Sequence, residues 1–175
     1  MNVRYSRAVK FIEKTIKYTL QEQEVSNKVE KFSKILVAVD GSEQSMRAAE
    51  YAIELAKKYS AELIALTVSH IPLSSYGFGS RPDAMKHEKE KETLESKEWF
   101  LDIEQAAKEK NISLKTDLID TQMSVEGTIV EYAETQHIDL ILIGTTGSSG
   151  FKKLLLGSVA SGVVSYAVCP VMVVK

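Results

Sequence analysis

ILIGTTGSSGFKKLLLGSV, running from Ile141 to Val159, passes from a short apolar run into glycines and hydroxyl side chains, then back into a helix-like segment. Gly144, Gly147, Gly150 and Gly157 leave the backbone uncovered. Thr145, Thr146, Ser148, Ser149 and Ser158 add hydroxyls, and Lys152 and Lys153 lie between the glycines. A loop of this kind can present bare N–H groups to an anion, and the start of a following helix adds the positive end of its dipole. The stretch therefore reads as strand, phosphate cradle and helix, in that order.

Upstream, the same alternation repeats. Lys34 to Val39 (KILVAV) is continuously apolar after its lysine, as a strand covered on both faces must be. Asp40-Gly41-Ser42 ends it. Ser42 suits an N-cap and Glu43 the first turn of a helix that runs to about Tyr59, with Ala49, Ala52, Ile53 and Ala56 as a small-residue packing face. Glu62 to Val68 (ELIALTV) is a second buried strand, so the three elements form a right-handed unit with parallel strands. Ser69 to Asp83 is a long loop of turn residues. Ala84 to Lys110 reads as helix, solvated and mixed in charge at first, then buried through Trp99, Phe100, Ile103, Ala106 and Ala107.

Ile112, Leu114, Thr116 and Leu118 alternate with polar residues, which places a third strand near a sheet edge. Ser124 can cap a helix that buries Val125, Ile129, Tyr132 and Ala133. Leu140 to Ile143 is the fourth strand. Ser158 to Ala167 is the last helix, and Val171 to Val174 the final strand after Pro170. The expected fold is α/β: an open, doubly wound, five-stranded parallel sheet of order 3-2-1-4-5 with helices on both faces.

Residues 1–32 read as an addition to this domain, which then spans residues 33–175. Tyr5, Val9, Ile12, Ile16 and Leu20 share one helical face, while Arg4, Arg7, Lys10, Lys14 and Lys17 fall mostly opposite. Such a basic amphipathic helix packs on its own domain or a second subunit, or else docks on an anionic membrane surface or an acidic partner.

Composition bounds the rest. The 175 residues suffice for one domain with a sizeable core. The formal net charge of −2 gives no reason to expect nucleic acid as a partner. The single cysteine, Cys169, excludes an intrachain disulfide framework and fits a reducing cytoplasm. No apolar run approaches the ~18 residues of a membrane span, and the first residues lack the apolar core of a secretory signal.

In doubly wound sheets, ligands bind beyond the carboxyl ends of the strands, where the strand order reverses. Asp40 ends the first strand and Gly144 follows the fourth, so neighbouring central strands would bring both to one crevice. The glycine loop is not a Walker A motif, because Gly150-Phe151-Lys152 lacks its spacing, and it contains no GxGxxG dinucleotide fingerprint. The pattern it does carry is Gly144-x2-Gly147-x9-Gly157-Ser158. Together with KILVAVDGSE, LILIGTTG, LLLGSVA and CPVMVVK, this resembles the ATP-binding type of the universal stress protein family over about residues 33–175.

That resemblance implies an adenine nucleotide alpha hydrolase-like fold and a site for an adenine nucleotide, ATP with Mg²⁺. Gly144, Thr146, Gly147, Gly157, Ser158 and the backbone of Val159 would hold the phosphates. Asp40 would lie near the ribose and metal. Ala38 and Val68 would lie beside the adenosine, with Ile143 just before the loop. Many relatives carry histidine at Thr146 and arginine at Ser148, so this chain replaces a ring donor and a cation there. The family resemblance, and the apolar character of Val171 to Val174 at the chain end, also imply a homodimer formed through that edge strand.

Plainer roles compete for some residues. Asp40 can simply cap the helix after strand one. His70, His87 and His137 are dispersed and have no metal-ligand spacing, and Cys169 suits a small apolar filler. No serine sits in a G-x-S-x-G setting. The function expected is a cytoplasmic, nucleotide-dependent stress-response module, hydrolysing ATP slowly at most. The alternative is an adaptor working through the N-terminal helix, with a vestigial nucleotide site. An adenylyl-transferring enzyme would need a histidine-rich phosphate motif near strand one, which DGSEQS does not provide.

Overall fold

The computed structural model describes residues 32–70, 82–145 and 156–175. Residues 1–31, and with them nearly all of the extension expected over residues 1–32, lie outside the described residues, as do most of the 69–83 loop and Thr146, Gly147, Ser148, Lys152 and Lys153. In the described unit, five strands alternate with four helices: β1 (Lys34–Ala38), α1 (Glu43–Tyr59), β2 (Glu62–His70), α2 (Pro82–Glu109), β3 (Leu114–Thr121), α3 (Val125–Thr135), β4 (Leu140–Gly144), α4 (Ser158–Tyr166) and β5 (Val171–Val174).

All four strand pairings are parallel, and the order is β3-β2-β1-β4-β5. This is the sheet expected from the sequence. Its centre carries the longest apolar runs because β1, β2 and β4 are flanked by strands on both sides and covered by helices on both faces. Alternate residues feed two separate cores. Ile35, Val37, Ala65 and Leu142 pack under α1 and α2, while Leu36, Ile64, Ile141 and Ile143 pack under α3 and α4.

The helix starts follow their cap chemistry. Ser42 Oγ accepts from the Ser45 N–H at 3.2 Å, and Ser124 Oγ from the Gly127 N–H at 3.2 Å. α1 stops at Tyr59, as the sequence indicates, but the residues that cap the helix ends carry no clear sequence signal. Ser60, Asn111 and His137 take left-handed backbone angles just past α1, α2 and α3. Non-glycine residues in this role leave a weak sequence signal.

β3 also departs from the expected alternation. Leu114 packs on the first core, but Leu118 is exposed and Ile119 packs on the second core instead. The polar Asp117 between them faces inward, where it accepts from the Tyr132 hydroxyl of α3 and from Lys115 Nζ at 2.7 Å. Burial alone would raise the Asp117 carboxyl, but these two hydrogen bonds outweigh it and hold the group below its ordinary range. Burial and the adjacent carboxylate push the Tyr132 phenol up. The contact fixes α3 against the edge of the sheet. Among the described residues, no helix is long and apolar enough to cross a membrane.

Candidate functional site

β1 and β4 are neighbours, and the chain leaves them in opposite senses, towards β2 on one side and β5 on the other. The helices that follow them, α1 and α4, therefore start on opposite faces and leave a crevice at the carboxyl ends of the strands. A cavity of about 270 Å³ occupies that crevice. Its floor is apolar and comes from strand ends: Ala38, Leu66, Val68 and Ile143. Val125 and Ile129 of α3 close one side, and Val159 and Ala160 of α4 close another. The polar side chains of the lining are those of Asp40, Ser45, Thr145 and Ser158.

Local hydrogen bonds shape the lining around Asp40 and Ser45. Asp40 Oδ1 accepts from the Ser42 N–H at 3.2 Å and from the Ser42 hydroxyl at 2.6 Å. The Asp40 N–H donates to Ser45 Oγ at 3.3 Å, and the Ser45 hydroxyl donates to the Ser42 carbonyl at 3.0 Å. The turn needs Gly41, whose φ is +75° and whose missing Cβ leaves room for the Trp99 ring of α2. Asp40 therefore does two things: it organises the start of α1, and its carboxylate borders the cavity.

The opposite lip is the start of α4. Gly157 is its N-cap, with φ −68° and ψ 161°, and it has no side chain to cap the helix. The Ser161 N–H makes the first helical bond back to the Gly157 carbonyl at 2.9 Å. The N–H groups of Ser158, Val159 and Ala160 precede that bond, so they form the donor end of the helix beside the cavity. The Gly157 N–H itself donates to the Thr145 carbonyl at 2.6 Å. In turn, the Thr145 N–H donates to the Val174 carbonyl at 2.8 Å, which fastens the helix start to the sheet.

Eight of the residues singled out from sequence meet around this one cavity: Ala38, Asp40, Val68, Ile143, Gly144, Gly157, Ser158 and Val159. Thr146 and Gly147 lie outside the described residues. The sequence reading missed Leu66, Ser45, Thr145, Ala160, Val125 and Ile129 as lining residues. Val125 and Ile129 were legible only as the buried face of a helix. The available signal was their place in the first turns of a helix that begins above the strand ends. Among the described residues, no three His, Cys, Asp or Glu side chains converge as a metal site. Asp40 is the one carboxylate among the described lining residues, a donor set that suits Mg²⁺ only when phosphate oxygens and water complete it.

The sequence profile of the universal stress protein family matches residues 31–175. The chain belongs to the universal stress protein family. A universal stress protein of Methanocaldococcus jannaschii is 35% identical over 167 residues, covering 94% of this chain and 95% of that protein. Among solved structures, the universal stress protein UspA of Lactobacillus plantarum superposes with a TM-score of 0.74 at 28% identity, over 83% of this chain and 99% of that one. A universal stress protein of Archaeoglobus fulgidus, solved in complex with dAMP, shares the fold with a TM-score of 0.61 at 22% identity, over 83% of this chain and 99% of that one.

Proposed function

We propose that this universal stress protein binds an adenine nucleotide, with ATP and Mg²⁺ as its ligands, and acts as a nucleotide-dependent regulatory module in the cytoplasm. The observation that carries the reading is the division of one cavity into an apolar floor and a donor end. Ala38, Leu66, Val68 and Ile143 offer a base and sugar an apolar bed, while the N–H groups at the start of α4 suit phosphate oxygens. Asp40 also lines the cavity, and a ribose hydroxyl or a phosphate-bound Mg²⁺ would meet it there. The dAMP complex of the Archaeoglobus protein supports the reading at the level of the fold. Asp40 Oδ1 is held by Ser42, which favours a fixed acceptor over a general base, so ATP hydrolysis is slow at most.

Calorimetric titration with ATP, ADP and AMP, with and without Mg²⁺, tests this on the wild type and Gly157→Val. Valine readily adopts the extended angles of Gly157, so the fold should persist while a side chain intrudes at the phosphate end. The expected result is wild-type binding and a loss of about tenfold or more in the variant, equivalent to removing one or two charge-assisted hydrogen bonds. No binding, or equal binding by both proteins, overturns the reading.

The same proposal includes the domain division and the assembly. Residues 33–175 form the nucleotide domain, and residues 1–32 a separate extension. β5 is the outer strand of the sheet, and the apolar side chains Val164, Tyr166, Val168 and Met172 at and before it are exposed. Pairing of β5 with the same strand of a second copy would cover them in a two-fold homodimer.

A further inference from the structure

We infer that His70 is a positioning residue of the nucleotide cavity, whose imidazole clasps the Met123 carbonyl and thereby fixes how α3 enters over the bound nucleoside. The inference rests on the nucleotide reading of the cavity. His70 is the last residue of β2 and pairs with Thr121, the last residue of β3. Strand side chains alternate, so His70 continues outward the face from which Leu66 and Val68 line the cavity. Its Nδ1 lies 2.8 Å from the Met123 carbonyl oxygen. A carbonyl only accepts, so Nδ1 carries the proton whether the ring is neutral or charged.

Met123 sits in the turn that feeds α3. Its N–H donates to Thr121 Oγ1 at 3.0 Å, and the Thr128 hydroxyl of α3 donates to that same oxygen at 3.1 Å. The next residue, Ser124, is the N-cap of α3, and Val125 and Ile129 then face the cavity. The imidazole thus links the β2 floor of the cavity to the turn that aims its α3 wall. The bond is exposed and adds little to global stability. Its effect lies in preorganisation: a turn already held in place need not be ordered when ligand arrives.

The test compares wild type, His70→Ala and His70→Asn in the full chain, titrated calorimetrically with AMP and with ATP and Mg²⁺. An asparagine amide can donate from about the place of Nδ1. Nucleotide affinity should fall about three- to tenfold in His70→Ala, as loss of one neutral hydrogen bond allows, and return to within about twofold of wild type in His70→Asn. The unfolding midpoint of the nucleotide-free protein should be the same in all three. Nitrogen NMR of the wild type should find the proton of the neutral ring on Nδ1. Wild-type affinity in His70→Ala overturns the inference and leaves the nucleotide reading intact. So does a loss that His70→Asn fails to repair, or a neutral ring protonated on Nε2. A wild type that binds no adenine nucleotide overturns the nucleotide reading and this inference with it.

Discussion

Gly144 has neighbours on two sides. One side borders the cavity. On the other, a Cβ would lie 2.9 Å from the Gln44 carbonyl carbon and 2.9 Å from the Ser45 nitrogen, both backbone atoms of the first turn of α1. Backbone cannot rotate away, so Gly144→Ala should destabilise the fold by about 1–3 kcal/mol, as overpacking does. Urea denaturation of the nucleotide-free protein measures this, and an unchanged midpoint would refute it. The role in packing was not legible in the sequence, where Gly144 stands among loop glycines and reads as part of a phosphate cradle. Its partner residues lie far upstream, and no local pattern connects them. Gly41 poses the same problem: DGSE announces a turn, but nothing nearby announces that Trp99 of a later helix fills the space above it. Asp40 was legible at the crevice, whereas its hold on Ser42 needed the folded turn.

At the level of elements, the entry to β1 is fastened by Asp139, just before β4. Its Oδ2 accepts from the Ser33 N–H at 2.7 Å, the Ser33 hydroxyl at 2.7 Å and the Lys34 N–H at 2.8 Å. Burial would raise this carboxyl, but the hydrogen bonds from Ser33 and Lys34 outweigh burial and lower it from its ordinary value of 3.8. A carboxyl depressed on folding contributes stability that is complete above the unfolded-state value and fades as pH drops through the folded-state one. Asp139→Asn should therefore cost about 1–2 kcal/mol at neutral pH, discounted for partial exposure, and should narrow its gap to wild type as pH falls below about 4. Denaturant midpoints taken from pH 7 down to pH 3 check this, and a gap that stays constant with pH would count against the clasp. The periodicity of the buried strands β1, β2 and β4 sufficed to place them, because continuous apolar runs have few other uses. The edge strand β3 was legible in existence but not in facing, since Asp117 finds its partner Tyr132 only across the fold.

For the whole molecule, the open side of β5 is the first question. Val168 is 74% exposed and Met172 38% exposed beside it. Met172→Lys places a charge where a second copy would pack, and light scattering should then give half the wild-type mass at micromolar concentration. A wild type that is already monomeric would refute the homodimer. The strand order has a further consequence, one that concerns synthesis. The β2 partner of β1 follows it closely in the chain, yet the partner of its other edge, β4, comes late, and the Ser33–Asp139 clasp joins residues 106 positions apart. Until the ribosome has released Leu140, the most apolar strand of the nascent chain has an unpaired side, open to any other strand it meets. Long-range parallel pairing also makes closure slow. Thus β1, which with β2 and β4 supplies the floor of the cavity, keeps one edge unprotected until late in the emergence of the chain.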